Sequence, residues 1–465
     1  MTHPPTTKAD KGAPPGRLRR VLKLRDLVFY GIVIITPIAP VPIYGVAQVL
    51  SRGHILICIL FAGVAMMLTA FSYGRMASLY PSAGSAYVYV GQGLNSHLGF
   101  IAGWAMTLDY LVLPIVAIIQ AALAMERLIP LLPFPVWVTL FIVLITALNL
   151  RGIRATARAN IALLIGMFVV IGTFLLVAVR YLFRLQGLHG LLSLAPFYHP
   201  ATFDFRTVAT ATSFAALTYI GFDGVTTLAE DVENPRRNVL LATVSVCLFT
   251  TIFSCILVYL AQLIWPDYRT FPSVETAFMD VTRRVGGSLL FQGMGIVVIL
   301  SSLGGCLAGQ VAAARVLFAM GRDDMLPRRF FGYLDPASGN PVLNILLVAL
   351  VALGGSLLLS LEHAGELLNF GAFLAFMGVN LGAIRQYYFL QCREKRRFFS
   401  DAMVPLSGFL FCLGIWLSLP LLTKLIGGAW LLAGIIYDAV QTKGFRTHPA
   451  LLDFADVQDD NPSEG

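Results

Sequence analysis

Twelve apolar runs follow one another between residues 27 and 441, most of them close to the roughly 20 residues a helix needs to cross a bilayer. They occupy 27–50, 55–74, 97–125, 131–150, 160–183, 207–230, 239–264, 288–319, 342–360, 367–390, 404–422 and 425–441, the fourth and twelfth being among the shorter. Hydrocarbon supplies no hydrogen bonds to a backbone, so segments of this length are expected as helices. Composition agrees: 57% of the 465 residues are hydrophobic and 12% charged, half the charged share of about 25% usual in soluble domains. The expected fold is an all-α integral membrane protein with 12 transmembrane helices.

An even number of spans puts both ends on one side. With that side in the cytoplasm of a cell whose inner membrane holds the chain, 24 of the 33 Lys and Arg fall on inner segments. The positive-inside rule predicts this bias. The net charge of +8 is thus a topology signal and argues against nucleic acid as a partner. Residues 1–25 form a basic, Pro-rich arm too polar for a signal peptide, and 442–465 a cytoplasmic tail. The six cysteines and seven histidines show neither disulfide nor metal-ligand spacing, so no metal or cofactor is expected.

Two spans carry defects. The first holds Ile35-Thr36-Pro37-Ile38-Ala39-Pro40-Val41-Pro42, and three prolines in six residues do not continue an α-helix. The sixth holds Gly221-Phe222-Asp223-Gly224, a carboxylate between two helix-weakening glycines. Broken backbone at membrane depth is tolerated where it is packed by protein or lines a wet cavity, and transporters build substrate sites this way. The defects lie five spans apart, which predicts two inverted repeats, 26–183 and 205–390, followed by helices 11 and 12 over 404–441.

Intramembrane charge points the same way. Asp223 and Asp109, the latter about four turns into the third span, are carboxylates with no Lys or Arg at similar depth. Such groups take up a proton, hold a cation or hydrogen-bond a neighbouring helix. Ser301 and Ser302 in the eighth span either ligate a coupling Na⁺ or bond their own backbone. Gly305 and Gly309 make a GxxxG face for close helix approach. Tyr87, in the turn after the second span, and Glu230, at the end of the sixth, are candidates for an inner gate. Val274, Ala277, Phe278, Val281 and Val285 share one helical face and predict an amphipathic helix across the outer mouth. The eleventh and twelfth spans are expected to lack interior charge. An ion channel would show a polar pore stripe or filter loop, and an enzyme or sensor a catalytic constellation or added domain; neither stands in the sequence.

Tyr80-Pro-Ser-Ala-Gly-Ser-Ala-Tyr87, the Gly221-Phe-Asp-Gly224 run with Glu230 and Asn234-Pro235-Arg236, and Arg315-Val-Leu-Phe-Ala-Met-Gly-Arg-Asp323 with Leu326-Pro327 resemble the amino acid–polyamine–organocation permeases. Gly103-Trp104, Leu108-Asp-Tyr-Leu111 with Pro114, and Phe331-Gly-Tyr-Leu-Asp-Pro336 bring the resemblance closest to the putrescine importer group. The resemblance implies a LeuT-type 5+5 inverted repeat with broken helices 1 and 6, alternating access, and cation-coupled import of amines or amino acids by H⁺ or Na⁺. Exchange of such substrates is the alternative. The resemblance places the substrate site on Ile35, Thr36, Pro37, Ile38 and Ala39 and on Thr218, Tyr219, Gly221 and Asp223; cation–π chemistry leads us to expect Tyr219 stacked over the ammonium. Asp109, Ser301 and Ser302 become coupling candidates. The prolines depart from the free amides that bind a substrate carboxylate in relatives, Pro42 stands where a putrescine importer would carry an acid, and Gly166 stands where many members carry a lysine.

Overall fold

A computed structural model describes residues 22–80, 85–152, 157–187, 191–322, 326–336, 339–390 and 397–447. Among these the chain is helical without a strand; its extended pairing is an isolated bridge between Leu22 and Val232. Eight helices are long and apolar enough to cross a membrane, and Phe134–Leu150 and Val342–Leu358 are shorter apolar helices of 17 residues.

The first apolar run divides into α1 (Leu24–Ile35) and α2 (Tyr44–Leu50). Thr36 ends α1 at φ 61°, and the three prolines hold the next residues in turns. Then come α3 (Ile55–Leu79), α4 (Ser85–Gly93), α5 (Ser96–Leu128), α6 (Phe134–Leu150) and α7 (Ala157–Gln186). Asn95 starts α5 by accepting the Leu98 amide at 2.8 Å. Within α5, Pro114 has no N–H to give Tyr110, which loosens the helix one residue from Asp109.

The sixth apolar run begins as α8 (Phe205–Ala215), capped by Asp204, whose carboxyl accepts the Thr207 amide at 2.9 Å. Thr207's hydroxyl and then its amide hold that carboxyl below the usual carboxylate range. Past Ala215 the chain tightens into 3₁₀ turns, Ala216–Tyr219 and Phe222–Asp231, separated by Gly221 at φ 100°. Helix α9 (Pro235–Ile264) follows, with Pro at its first position. The chain continues with α10 (Ala277–Arg322), α11 (Arg328–Phe331), α12 (Val342–Leu358), α13 (Leu361–Ile384), α14 (Val404–Ser418) and α15 (Leu421–Gln441).

The expected outer helix is the first turns of α10, set off by Gly287 at φ 68°. Ala277, Phe278 and Val281 are buried, and the Phe278 ring meets Tyr44 of α2 at 5.4 Å and Phe174 of α7 at 5.1 Å. Other expectations shift. Helix α13 starts six residues before the apolar run, because Ser360 caps it by accepting the His363 amide, and this brings Glu366 into the helix. Pro420 stops α14 and opens α15, so the last helix is 21 residues rather than short. The GxxxG face is half used: Gly309 lies against Leu113 and Pro114 of α5, while among the described residues nothing comes within 4 Å of a Cβ placed on Gly305. Nor do the last two spans lack interior charge, for Asp438 of α15 is fully buried and bonds His97 at 2.9 Å.

Candidate functional site

The two interrupted segments lie against each other. A Cβ on Gly221 would sit 2.7 Å from Ile34 Cγ2, and one on Gly224 would sit 3.1 Å from Ile34 Cδ1. Glycine at both positions, with the left-handed φ at Gly221, therefore lets α1 approach the 3₁₀ turns closely. Asp223 stands in the first turn of the second 3₁₀ segment, 8% exposed, and the amide of Gly224 beside it bonds the Gly221 carbonyl at 3.0 Å.

Asp109 of α5 is 7% exposed, and its Oδ1 has no hydrogen-bond partner among the described residues. It lies within electrostatic reach of Asp223, and Tyr110 lies within reach of both. Tyr73 of α3 also lies within reach of Asp223, and its buried hydroxyl has no partner among the described residues. The ion pairs among the described residues are Arg25–Asp26, Arg75–Asp401, His97–Asp438 and Arg127–Asp280, so neither Asp109 nor Asp223 has a basic counter-ion there. A wall of rings closes one side: Tyr73 packs edge-on to Phe222 at 5.4 Å, Phe376 at 5.8 Å and Tyr89 at 5.9 Å.

Magnitudes indicate what this arrangement favours. A carboxylate at mid-membrane costs about 2.5–3.5 kcal/mol on insertion scales. Ring faces contribute roughly 0.5–2 kcal/mol to a cation. Two neighbouring acids without a counter-ion therefore dominate the site, and the aromatic wall adds selectivity. The chemistry suits a cation or a shared proton.

The remaining expected residues fall into place around this centre or away from it. Ile35, Thr36 and Pro37 line a cavity of about 10 Å³ with Phe249, Thr250, Phe253 and Ser254 of α9, about the size of one water. Ile38 is buried and Ala39 half-buried. The amides of Thr36, Ala39 and Val41 are taken by the carbonyls of Ile32, Thr36 and Ile38. With three prolines beside them, few donors remain for a substrate carboxylate. Thr218 is fully buried with its hydroxyl unpartnered among the described residues. Tyr219 is likewise buried, and its hydroxyl reaches Ile59 O at 2.9 Å and Thr251 Oγ1 at 3.1 Å. These bonds fix its hydroxyl to α3 and α9, whereas the Tyr73 hydroxyl, within electrostatic reach of Asp223, has no partner among the described residues.

Ser302 approaches Gln120 of α5 at 3.4 Å, and Ser301 is half-buried on the same helix. Gln120 shares a cavity of about 10 Å³ with Val41 and Pro42, so α10 reaches the first break through Gln120. Tyr87 rests on Gly103, whose Cβ would lie 3.1 Å from the ring, whereas Tyr89 touches the Tyr73 cluster. Residues 81–84 and the side chain of Glu230 lie outside those described. Sequence reasoning missed Tyr73, Tyr110 and Glu366. Tyr110 adjoins Asp109 in the chain, which was a usable signal; Tyr73 lies within the second apolar run beside no charge that marks it. Glu366 is fully buried and accepts a bond from Thr423 at 3.1 Å, joining α13 to α15.

The Amino acid permease family matches residues 41–437. The chain is 31% identical over 431 residues to the low-affinity putrescine importer PlaP of Escherichia coli, covering 92% of this chain and 95% of that protein. It is 27% identical to a methylthioribose transporter of Bacillus subtilis, over 90% and 92% of the two chains. It is 24% identical to the branched-chain amino acid permease BcaP of Lactococcus lactis, over 90% and 94%. A family match over residues 41–437, which takes in the interrupted sixth run, fits a helical membrane chain with buried acids: the chain belongs to the amino acid permease family.

Proposed function

We propose that the protein is a secondary active transporter that imports a cationic amine by alternating access, coupled to H⁺ or Na⁺. The observation that carries this reading is the Asp109–Asp223 pair without a basic counter-ion, beside backbone broken at Gly221 and at Thr36. The substrate ammonium sits at Asp223, with Tyr73 supplying a ring face, and Asp109 balances charge or carries the proton. The prolines of the first break and its occupied amides favour a plain amine over an amino acid with a free carboxylate. The two interrupted segments and the two shorter apolar helices bring the eight long ones to twelve spans. Breaks five spans apart support an inverted 5+5 repeat, and the charge bias supports both termini in the cytoplasm at the inner membrane.

Exchange is the second reading, favoured by the same site, since it needs no separate ion. Proteoliposome uptake of labelled putrescine, spermidine, a monoamine and a neutral amino acid, under imposed H⁺ and Na⁺ gradients, distinguishes the two. Coupled import requires amine accumulation that collapses when one gradient is removed. Accumulation driven only by amine preloaded inside the vesicles identifies an exchanger, and equal flux of the neutral amino acid removes the cation assignment.

A further inference from the structure

A polar cavity lies away from the buried acids, on the face where α1 and α9 begin and α3 and α13 end. It encloses about 600 Å³ between α3, the start of α9 and the turns before α14. Arg75 reaches into it but is already matched. Its guanidinium contacts Asp401 at 2.8 Å and the Ser400 carbonyl at 2.6 Å, and lies 3.5 Å from the centre of the Tyr387 ring. Arg236 and Arg397 also line the cavity, and neither has an acidic partner among the described residues. Phe71 and Leu79 of α3 and Leu240, one turn from Arg236 on α9, give the cavity an apolar lining between the charges. Two uncompensated guanidiniums interleaved with apolar side chains, at the ends of spanning helices, match an amphipathic anion rather than a freely soluble one.

We propose that this pocket binds the phosphodiester headgroup of an anionic phospholipid from the adjoining leaflet. Arg236 and Arg397 take the phosphate oxygens, since a guanidinium fork matches that geometry, and an acyl chain lies along Phe71, Leu79 and Leu240. Arg75 and Asp401 form the floor that sets the depth of the pocket. Basic pockets between spanning helices on this side of a bilayer hold anionic headgroups by the same chemistry.

The test is native mass spectrometry of the full chain, purified with phosphatidylglycerol or phosphatidylcholine of matched acyl chains. The wild-type protein is expected to retain phosphatidylglycerol in preference to phosphatidylcholine. The double variant Arg236→Gln, Arg397→Gln should weaken phosphatidylglycerol binding by about 25-fold, at roughly fivefold for each charge removed. The double variant Arg236→Lys, Arg397→Lys should keep it within about threefold, since most of the charge term survives. Both arginines are exposed, and elution as a single species confirms folding. Equal retention of the two lipids by the wild type overturns the proposal whatever the variants do. So does unchanged phosphatidylglycerol binding in the Gln variant, or inorganic phosphate binding with the same arginine dependence while the lipid shows none.

Discussion

Asp223 and Asp109 show why the identity of a residue and the identity of its neighbours carry different information. Both acids are visible in the sequence as charges inside apolar runs, but their mutual approach is not, since 114 positions separate them. Their environment makes the site's behaviour testable. Asp223→Asn keeps shape while removing charge, and a charge-assisted bond contributes about 1.5–3 kcal/mol. Amine binding should fall roughly 10- to 150-fold, read by isothermal titration or by the uptake KM, with an unchanged melting temperature. Unaltered amine affinity in that variant would place the substrate elsewhere. Tyr219, identified from the sequence as the stacking ring, has its hydroxyl committed to Ile59 and Thr251, while Tyr73 on another helix presents a hydroxyl without a partner among the described residues. Nothing in either local sequence distinguishes these tyrosines, because the difference lies in how each helix is rotated.

The interrupted elements were the most legible part of the chain, because prolines and glycines act on their own backbone. Three prolines end α1 where expected, and Gly221 adopts the left-handed conformation that separates the two 3₁₀ segments. The contact between them belongs to the packed structure: Ile34 fills the space that a Gly221 side chain would need. Gly221→Ala therefore meets both a φ that costs an L-residue about 1–2 kcal/mol and a collision with Ile34. The expected outcome is a melting temperature lower by several degrees with uptake reduced, and partial recovery of both when Ile34→Ala is added. If the pair behaves additively, the breaks do not touch as described. Element ends without such punctuation were less legible. Helix α13 begins at Leu361 because Ser360 caps it, a polar signal that a count of apolar residues passes over.

At the scale of the molecule, the helices are joined by a few buried polar bonds. Arg75 of α3 and Asp401 before α14 form a pair with side chains 10% and 1% exposed. Removing one partner of a buried pair costs about 3–5 kcal/mol, so Arg75→Ala or Asp401→Ala alone should lower the melting temperature markedly. The combined variant should recover part of the loss, and full additivity would show that the two charges are not coupled. Asn149 and Gln310 at 2.6 Å join α6 to α10, and the indoles of Trp104 and Trp430 each donate to the other's carbonyl at 2.9 and 3.0 Å, joining α5 to α15. By itself the sequence determined the membrane class, most of the spanning segments, the two breaks and the presence of uncompensated acids. Each follows from apolar length or from backbone chemistry within a few residues. Only the tertiary structure decided that Tyr73 and Asp109 lie within electrostatic reach of Asp223, and that Asp438 and Glu366 are buried with partners. In a bilayer the lipid-facing and protein-facing sides of a helix are both apolar, so hydrophobic periodicity does not mark the buried side, and packing alone chooses it.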